Sequence, residues 1–94
     1  MKMALKLRDD IVALMEEYIR DQGSDGNVLS ESGVSKLALG YGDFPGILLR
    51  WDGGAKGPTM QKIAQFEQWL REQMGKAKYE AFVARRAAMF ADQF

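Results

Sequence analysis

The fold is decided by one stretch of the chain, Val34-Ser35-Lys36-Leu37-Ala38-Leu39-Gly40-Tyr41-Gly42-Asp43-Phe44-Pro45-Gly46-Ile47-Leu48-Leu49-Arg50-Trp51. A short helix is predicted to begin at Ser30, a residue type that caps helices, and to bury a stripe of apolar residues at helical spacing, Val34, Leu37 and Ala38. Gly40 and Gly42 then predict a tight turn, because glycine adopts positive φ without steric cost. Asp43 is a suitable N-cap for a second short helix, in which Pro45 occupies the first turn and costs no hydrogen bond.

The residues that follow predict a glycine loop and a longer amphipathic helix. Gly53 and Gly54 end the short helix, and residues 55–58 connect it to the next one. Thr59 can cap this helix, which runs from Met60 to Met74 and carries apolar residues along one face, at Ile63, Phe66, Trp69, Leu70 and Met74.

Two further helices flank this region. The first is predicted over residues 3–22 and ends at Gly23, with one apolar face formed by Leu7, Ile11, Leu14, Met15, Tyr18 and Ile19. The last is predicted over residues 76–91, with Tyr79, Phe82 and Phe90 on one stripe. Gly75 separates it from the preceding helix, and the sequence leaves open whether the two form one long kinked helix.

We therefore expect residues 1–94 to form a single all-α domain, a bundle of four or five helices that contains a helix-turn-helix. Its parts are a long N-terminal helix over 3–22, a helix-turn-helix core over 30–74 and a C-terminal helix over 76–91. The length of 94 residues suits one domain, and 47% hydrophobic residues favour a packed core over a disordered chain.

Composition excludes several classes of function. The chain has no cysteine and no histidine, which removes disulfides, thiolate nucleophiles, the commonest general base and the commonest metal ligands. Accordingly no enzymatic activity, cofactor or metal site is expected. No apolar run is long enough to span a membrane and the N-terminus does not resemble a signal peptide, so we expect a cytoplasmic protein.

Charge is balanced overall but uneven along the chain. The formal net charge is +0, from 13 basic and 13 acidic residues. A balanced chain gives no general attraction to nucleic acid. Between residues 33 and 62, however, the basic residues outnumber the acidic ones, with Lys36, Arg50, Lys56 and Lys62 against Asp43 and Asp52.

The order of helix, glycine turn, short helix, glycine loop and longer helix resembles the Cro and lambda-repressor-like helix-turn-helix domains of bacteria and their phages. The resemblance covers residues 34–70 and rests on Ala38, Gly40, the segment 43–51, the loop 53–56, Pro58 and the segment 60–70. The stretch 42–50 is also similar to a phage and proteobacterial variant in which the recognition helix ends in Leu-Arg before a glycine loop. The predicted recognition helix is unusually apolar for this family.

The resemblance implies a function and a set of contact residues. It implies a DNA-binding transcriptional regulator, which could derive from a phage or mobile element. Double-stranded DNA would meet the exposed start of the recognition helix, formed by Tyr41, Asp43, Phe44 and Pro45. The sugar-phosphate backbone would be contacted from the preceding helix by Ser35 and Lys36, and from the later segments by Arg50, Lys56, Thr59 and Lys62.

So few phosphate contacts predict weak binding by one copy, so a homodimer on two half-sites is expected. The first helix, or the stripe of Tyr79, Phe82 and Phe90, could supply the dimer contact. The alternative is a protein-protein interaction module that keeps the helix-turn-helix frame without DNA binding, which the zero net charge and the apolar short helix favour.

Overall fold

The computed structural model describes the backbone of residues 2–54 and 56–91 and the side chains of residues 7–54 and 56–89. These residues form five helices and no strand, α1 (Lys2–Ser24), α2 (Glu31–Leu39), α3 (Phe44–Arg50), α4 (Met60–Met74) and α5 (Lys76–Ala91). The all-α prediction is confirmed. Of the two alternatives for the C-terminal part, the structure has two helices, because Gly75 interrupts the helix with φ 85°.

Several predicted helix ends are confirmed by their hydrogen bonds. The hydroxyl of Ser30 accepts from the amide of Gly33 at 3.0 Å, and that of Thr59 accepts from the amide of Lys62 at 3.2 Å. Each bond satisfies a backbone donor that a helix start leaves without a partner. Gly40 ends α2 in the left-handed conformation, with φ 88°, and donates its amide to the carbonyl of Lys36.

Two predicted helix ends differ from the structure. Asp43 precedes α3, but its side chain makes no capping hydrogen bond, because its backbone φ of −99° and ψ of 7° depart from the extended conformation of a normal N-cap. Helix α1 continues through Gly23 to Ser24, two residues beyond the predicted end. After the helix, the glycine with a positive φ is Gly26, at 87°, and not Gly23.

Helix α4 is the centre of the bundle and packs against α1, α2 and α5, while α3 packs against α1 and α2. Every helix contributes to one hydrophobic core, which includes Leu14 and Met15 of α1, Val34 of α2, Leu48 of α3, and the α4 and α5 residues Phe66, Leu70 and Phe82. Burial of this apolar surface is the main force that holds such short helices in place. The arrangement leaves the outer sides of α2 and α3 facing solvent.

The predicted buried stripe of α2 is partly wrong. Leu37 is 63% exposed, whereas Val34 and Ser35 are fully buried and Ala38 and Leu39 are half-buried. Successive helical residues are about 100° apart around the axis, so an inward side centred between Val34 and Ser35 turns Leu37 toward solvent. The buried side of α2 therefore includes Ser35 in place of the predicted Leu37.

Helix α5 packs against the bundle with the stripe that could have contacted a second copy. Phe82 is 7% exposed and Tyr79 is half-buried, and both join the hydrophobic core. Four apolar residues of α1 are buried in the same core, Ile11, Leu14, Met15 and Tyr18. Within one copy these side chains are occupied by the core and do not form an exposed surface for a second copy, and the side chain of Phe90 lies outside the described residues.

Candidate nucleic-acid interface

Ser35 is not placed to contact phosphate, which corrects the sequence prediction. Its side chain is fully buried, and its hydroxyl donates a hydrogen bond of 2.5 Å to the carbonyl oxygen of Tyr41. The bond joins the middle of α2 to the turn that leads into α3. Ser35 thus shapes the turn from inside, and a buried hydroxyl needs such a partner.

Phe44 and Pro45 do not form an exposed tip, so the predicted contacts of these two residues with base edges are also wrong. Phe44 is 1% exposed, with its ring centroid 5.1 Å from that of Phe66 on α4. Pro45 is buried beside it. Helix α3 has only seven residues, and Phe44 and Leu48, four residues apart on one side, are the anchors that fix it to the core.

Two lysines, from α2 and α4, lie beside the turn between α2 and α3, which itself carries the aromatic ring of Tyr41. Tyr41 is half-buried and meets Phe44 edge-on, at 6.5 Å between ring centroids. The ammonium of Lys62, at the start of α4, lies 6.0 Å from the centroid of the Tyr41 ring, at the outer range of a cation–π contact. Lys36, Tyr41 and Lys62, with Gly42, form what we call the turn surface.

Gly42 brings Lys36 onto this surface. A Cβ at residue 42 would lie 3.2 Å from Cε of Lys36 and 2.5 Å from Oγ of Ser32, so a larger residue would displace both side chains. The methylene stem of Lys36 therefore lies directly against the turn.

The outer side of α3 presents one strong hydrogen-bond donor group. Arg50, in the last turn, is exposed and folds back along the helix, so that a Cβ at residue 46 would lie 3.3 Å from its Nη1. Because Gly46 has no side chain, the guanidinium rests over the middle of the helix. Leu49 is 54% exposed beside it.

Lys56 is exposed on a loop that Trp51 organises. The indole Nε1 of Trp51 donates to the carbonyl of Gly54 at 2.9 Å, and a Cβ on Gly57 would overlap the indole ring. A carboxylate oxygen of Asp52 accepts a hydrogen bond of 2.8 Å from the amide of Gly54, which further constrains this loop. Trp51 is 8% exposed, so this loop is folded onto the core rather than left free in solvent.

Asp43 and Thr59 are exposed, as the sequence prediction requires. The oxygen of Thr59 already accepts the amide of Lys62, but its hydroxyl hydrogen remains able to donate to an acceptor. The Asp43 carboxylate, just before α3, is negatively charged and repels phosphate, so in a DNA complex it could only accept hydrogen bonds from base amino groups.

Ion pairing separates the described cations into two groups. Six of the described basic side chains lie within 4.0 Å of a carboxylate oxygen, and these are Arg8, Arg20, Arg71, Lys78, Arg85 and Arg86. In the same part of the chain, no carboxylate oxygen lies that close to the four cations of residues 36–62, which are Lys36, Arg50, Lys56 and Lys62. The predicted phosphate-binding cations are thus among those that the fold leaves without acidic partners, and in the described residues Lys76 is another.

Sequence reasoning missed the residues that position this surface. Arg8 of α1 reaches the end of α3, where its Nη1 donates to the carbonyl of Trp51 at 2.7 Å. Gly42, Gly46 and Gly57 allow the close approach of Lys36, Arg50 and Trp51. The spacing of Gly46 four residues before Arg50 is a signal that could have been noticed, since such pairs share one helix side.

Comparison of the chain with protein-family models, with curated proteins and with solved structures gives no match. None of the helices in the described residues has the length and apolar character needed to cross a membrane.

Proposed function

We propose that this protein is a DNA-binding regulator of the helix-turn-helix type, which binds duplex DNA through the turn surface and the outer side of α3. The observation that carries the proposal is the group of four cations in residues 36–62 that have no acidic partner within 4.0 Å in the described structure, on a chain with zero net charge. Cations that are not already paired with carboxylates are what phosphate binding requires.

The positions of the side chains suggest separate roles. Lys36 and Lys62 flank the turn and are suited to phosphates on either side of it, and Lys56 on its fixed loop is suited to a third. Arg50 over Gly46 is the side chain of α3 best suited to the two acceptors of guanine in the major groove. Four such contacts per copy predict weak binding that depends steeply on salt, with an expected slope of log affinity on log salt of about −3 to −4.

Fluorescence anisotropy with a labelled random-sequence duplex, measured over a series of salt concentrations, tests the proposal. Lys36→Ala and Lys62→Ala should each weaken binding and reduce the steepness of the salt dependence by about 0.9. Lys76→Ala is the matched control, because Lys76 is also exposed and without a carboxylate within 4.0 Å in the described residues. It lies at the far end of α4 from Lys62, roughly 20 Å along the helix axis.

We expect Lys76→Ala to bind like the parent chain. Absence of binding at low salt, or an equal loss in all three variants, would contradict the proposal.

A second function, docking of a protein partner on the same surface, is favoured by the exposure of Leu37 at 63% and Leu49 at 54%. Leu49→Lys separates the two. An added cation on the outer side of α3 should strengthen binding to a polyanionic duplex, whereas it should weaken an apolar protein contact. Unchanged duplex binding by Leu49→Lys would exclude the outer side of α3 from the DNA interface.

A further inference from the structure

A single residue joins the last two helices. α4 ends at Met74 and α5 begins at Lys76, and Gly75 between them has φ 85° and ψ 160°. This backbone conformation is one that essentially only glycine adopts. A Cβ at residue 75 would meet no atom within 4 Å, so the constraint at this position is one of backbone conformation and not of space.

The local sequence is compatible with a continuous helix as well as with this break. The amide of Gly75 donates to the carbonyl of Arg71, and the amide of Tyr79 donates to the carbonyl of Gly75, so helical bonding reaches Gly75 from both sides. The amides of residues 76–78 form the first turn of α5, where a helix has no carbonyl partners of its own. Apart from Gly75, residues 71–80 contain neither proline nor a β-branched residue.

The contacts of α5 with α4 and α1 hold the break in place, and on α4 the guanidinium of Arg71 lies 4.8 Å from the centroid of the Tyr79 ring. Phe82 is the described α5 side chain that is buried in the core. Around it, three ion pairs join a basic side of α5 to an acidic side of α1, in antiparallel order: Lys78 with Asp21 at 2.7 Å, Arg85 with Glu17, and Arg86 with Asp10 at 2.6 Å. These contacts are equally available to an α5 that belongs to another copy of the chain.

We propose that two copies of this protein exchange α5. In the exchanged dimer, α4 and α5 straighten at Gly75 into one helix over residues 60–91, about 48 Å long. Its C-terminal half then occupies the α1 side of the second copy, with Phe82 in the partner core and the three ion pairs re-formed between chains. Such exchange reuses a monomer interface and closes with two-fold symmetry.

The balance between the two forms depends on Gly75. The monomer keeps the unusual backbone at this residue, while the dimer removes it and gains the helical hydrogen bonds of residues 76–78. The dimer loses the translational freedom of one copy, so its fraction increases with protein concentration. This self-association is independent of the proposed DNA binding, and either can fail without the other.

Gly75→Ala shifts this balance without adding a clash. Light scattering coupled to gel filtration should show a dimer of twice the chain mass of 10.6 kDa, with an association constant raised at least about tenfold over the parent chain. Gly26→Ala is the matched control, because Gly26 has φ 87° and equally open surroundings but lies between α1 and α2. We expect it to lose stability and remain as monomeric as the parent chain.

A charge-reversal experiment distinguishes exchange from any other dimer. Glu17→Lys and Arg85→Glu are made in separate chains that also carry Gly75→Ala. Either chain alone places like charges together wherever α5 meets α1. In an exchanged dimer of the two, α5 of each chain meets a complementary α1, so mixed dimers should exceed the proportion given by random association.

The outcomes decide the proposal. A Gly75→Ala chain that is helical by circular dichroism yet monomeric at high concentration would overturn it, and so would dimers that form without preference for the mixed pair. If Gly75→Ala does not fold, Glu17→Lys and Arg85→Glu are made in separate parent chains and the exchange is tested by mixing them. Mixing them must then produce mixed dimers, and persistence of monomers would refute the exchange.

Discussion

Arg8 and Trp51 join two helices that are far apart in the sequence. Nη1 of Arg8 on α1 donates a hydrogen bond of 2.7 Å to the carbonyl oxygen of Trp51, the residue that ends α3. The last carbonyls of a helix have no partner within it, and a cation is favourable at that end of the helix dipole. Arg8 is therefore the side chain through which α1 fixes the end of α3 that carries Arg50.

Replacing Arg8 by Met keeps the apolar stem and removes this bond. The side chain of Arg8 is 24% exposed, so solvent compensates only in part. We expect a loss of about 1–2 kcal/mol in the free energy of unfolding, measured by urea denaturation. Asp9→Asn is the control, since it removes the neighbouring ion pair and leaves the bond to Trp51 intact. It should change stability by less than about 0.5 kcal/mol.

Gly57→Ala tests the packing of the loop that carries Lys56. An added Cβ would overlap Cδ1 and Nε1 of Trp51, so the loop must move away from the indole ring. We expect a loss of about 1–3 kcal/mol and a change in tryptophan fluorescence. At Gly54 the nearest atom to an added Cβ is a carboxylate oxygen of Asp52, at 2.9 Å, and that side chain can turn aside. Equal losses for Gly54→Ala and Gly57→Ala would contradict the role given to Trp51.

Ser35→Ala removes the buried hydroxyl that holds the turn between α2 and α3. The carbonyl of Tyr41 then loses its donor at 2.5 Å in a part-buried place. An unfolding free energy lower by about 1–3 kcal/mol is expected from thermal or urea denaturation. The exposed Ser32 on the same helix provides the comparison, and Ser32→Ala should stay within about 0.5 kcal/mol of the parent chain. A tolerated Ser35→Ala would show that the turn does not need this bond.

Stability should decline in alkaline solution. Burial, followed by the charge of Asp21, raises the pKa of Tyr18, and burial, followed by the charge of Glu67, raises the pKa of Tyr79. The hydrogen bond to Asp21 raises the pKa of Lys78. The folded chain therefore holds these protons more tightly than the unfolded chain does. The contribution of these three groups to the free energy of unfolding is complete below about pH 10. It is lost as the pH rises through their pKa values in the folded chain.

Urea midpoints measured between about pH 8 and about pH 11 should therefore fall at the alkaline end. Tyr79→Phe removes one of the three groups, so its midpoint should fall less steeply than that of the parent chain. A midpoint that stays constant over this range would contradict the inferred burial of the two phenols.

Much of the fold follows from local features of the sequence. Ser30, Gly40 and Thr59 mark helix ends because capping depends on the residue itself and on backbone atoms within one turn. The apolar face of α4 was predictable because its period matches the helix. The side chain of Asp43 makes no capping hydrogen bond because its backbone departs from the extended conformation of a normal N-cap, which the residue type alone did not predict.

The candidate surface was less predictable than the fold. Phe44, Pro45 and Ser35 were assigned to the outside, and all three are buried. In a helix as short as α3, one aromatic ring can decide which side faces the core, and the periodicity of seven residues is too brief to reveal it. The cations Lys36, Arg50, Lys56 and Lys62 were predicted correctly as exposed or half-exposed, since long charged side chains are rarely buried without partners.

The sequence by itself determined an all-α chain, several of its helix ends and the absence of cysteine and histidine chemistry, because these depend on residue identity and short-range spacing. Only the tertiary structure decided which cations form ion pairs with carboxylates. The pairs that join α5 to α1 connect residues 57 to 76 positions apart, and no local pattern contains them. In the described residues Lys36, Arg50, Lys56 and Lys62 have no carboxylate within 4.0 Å, whereas three acidic residues of α1 pair with cations of α5.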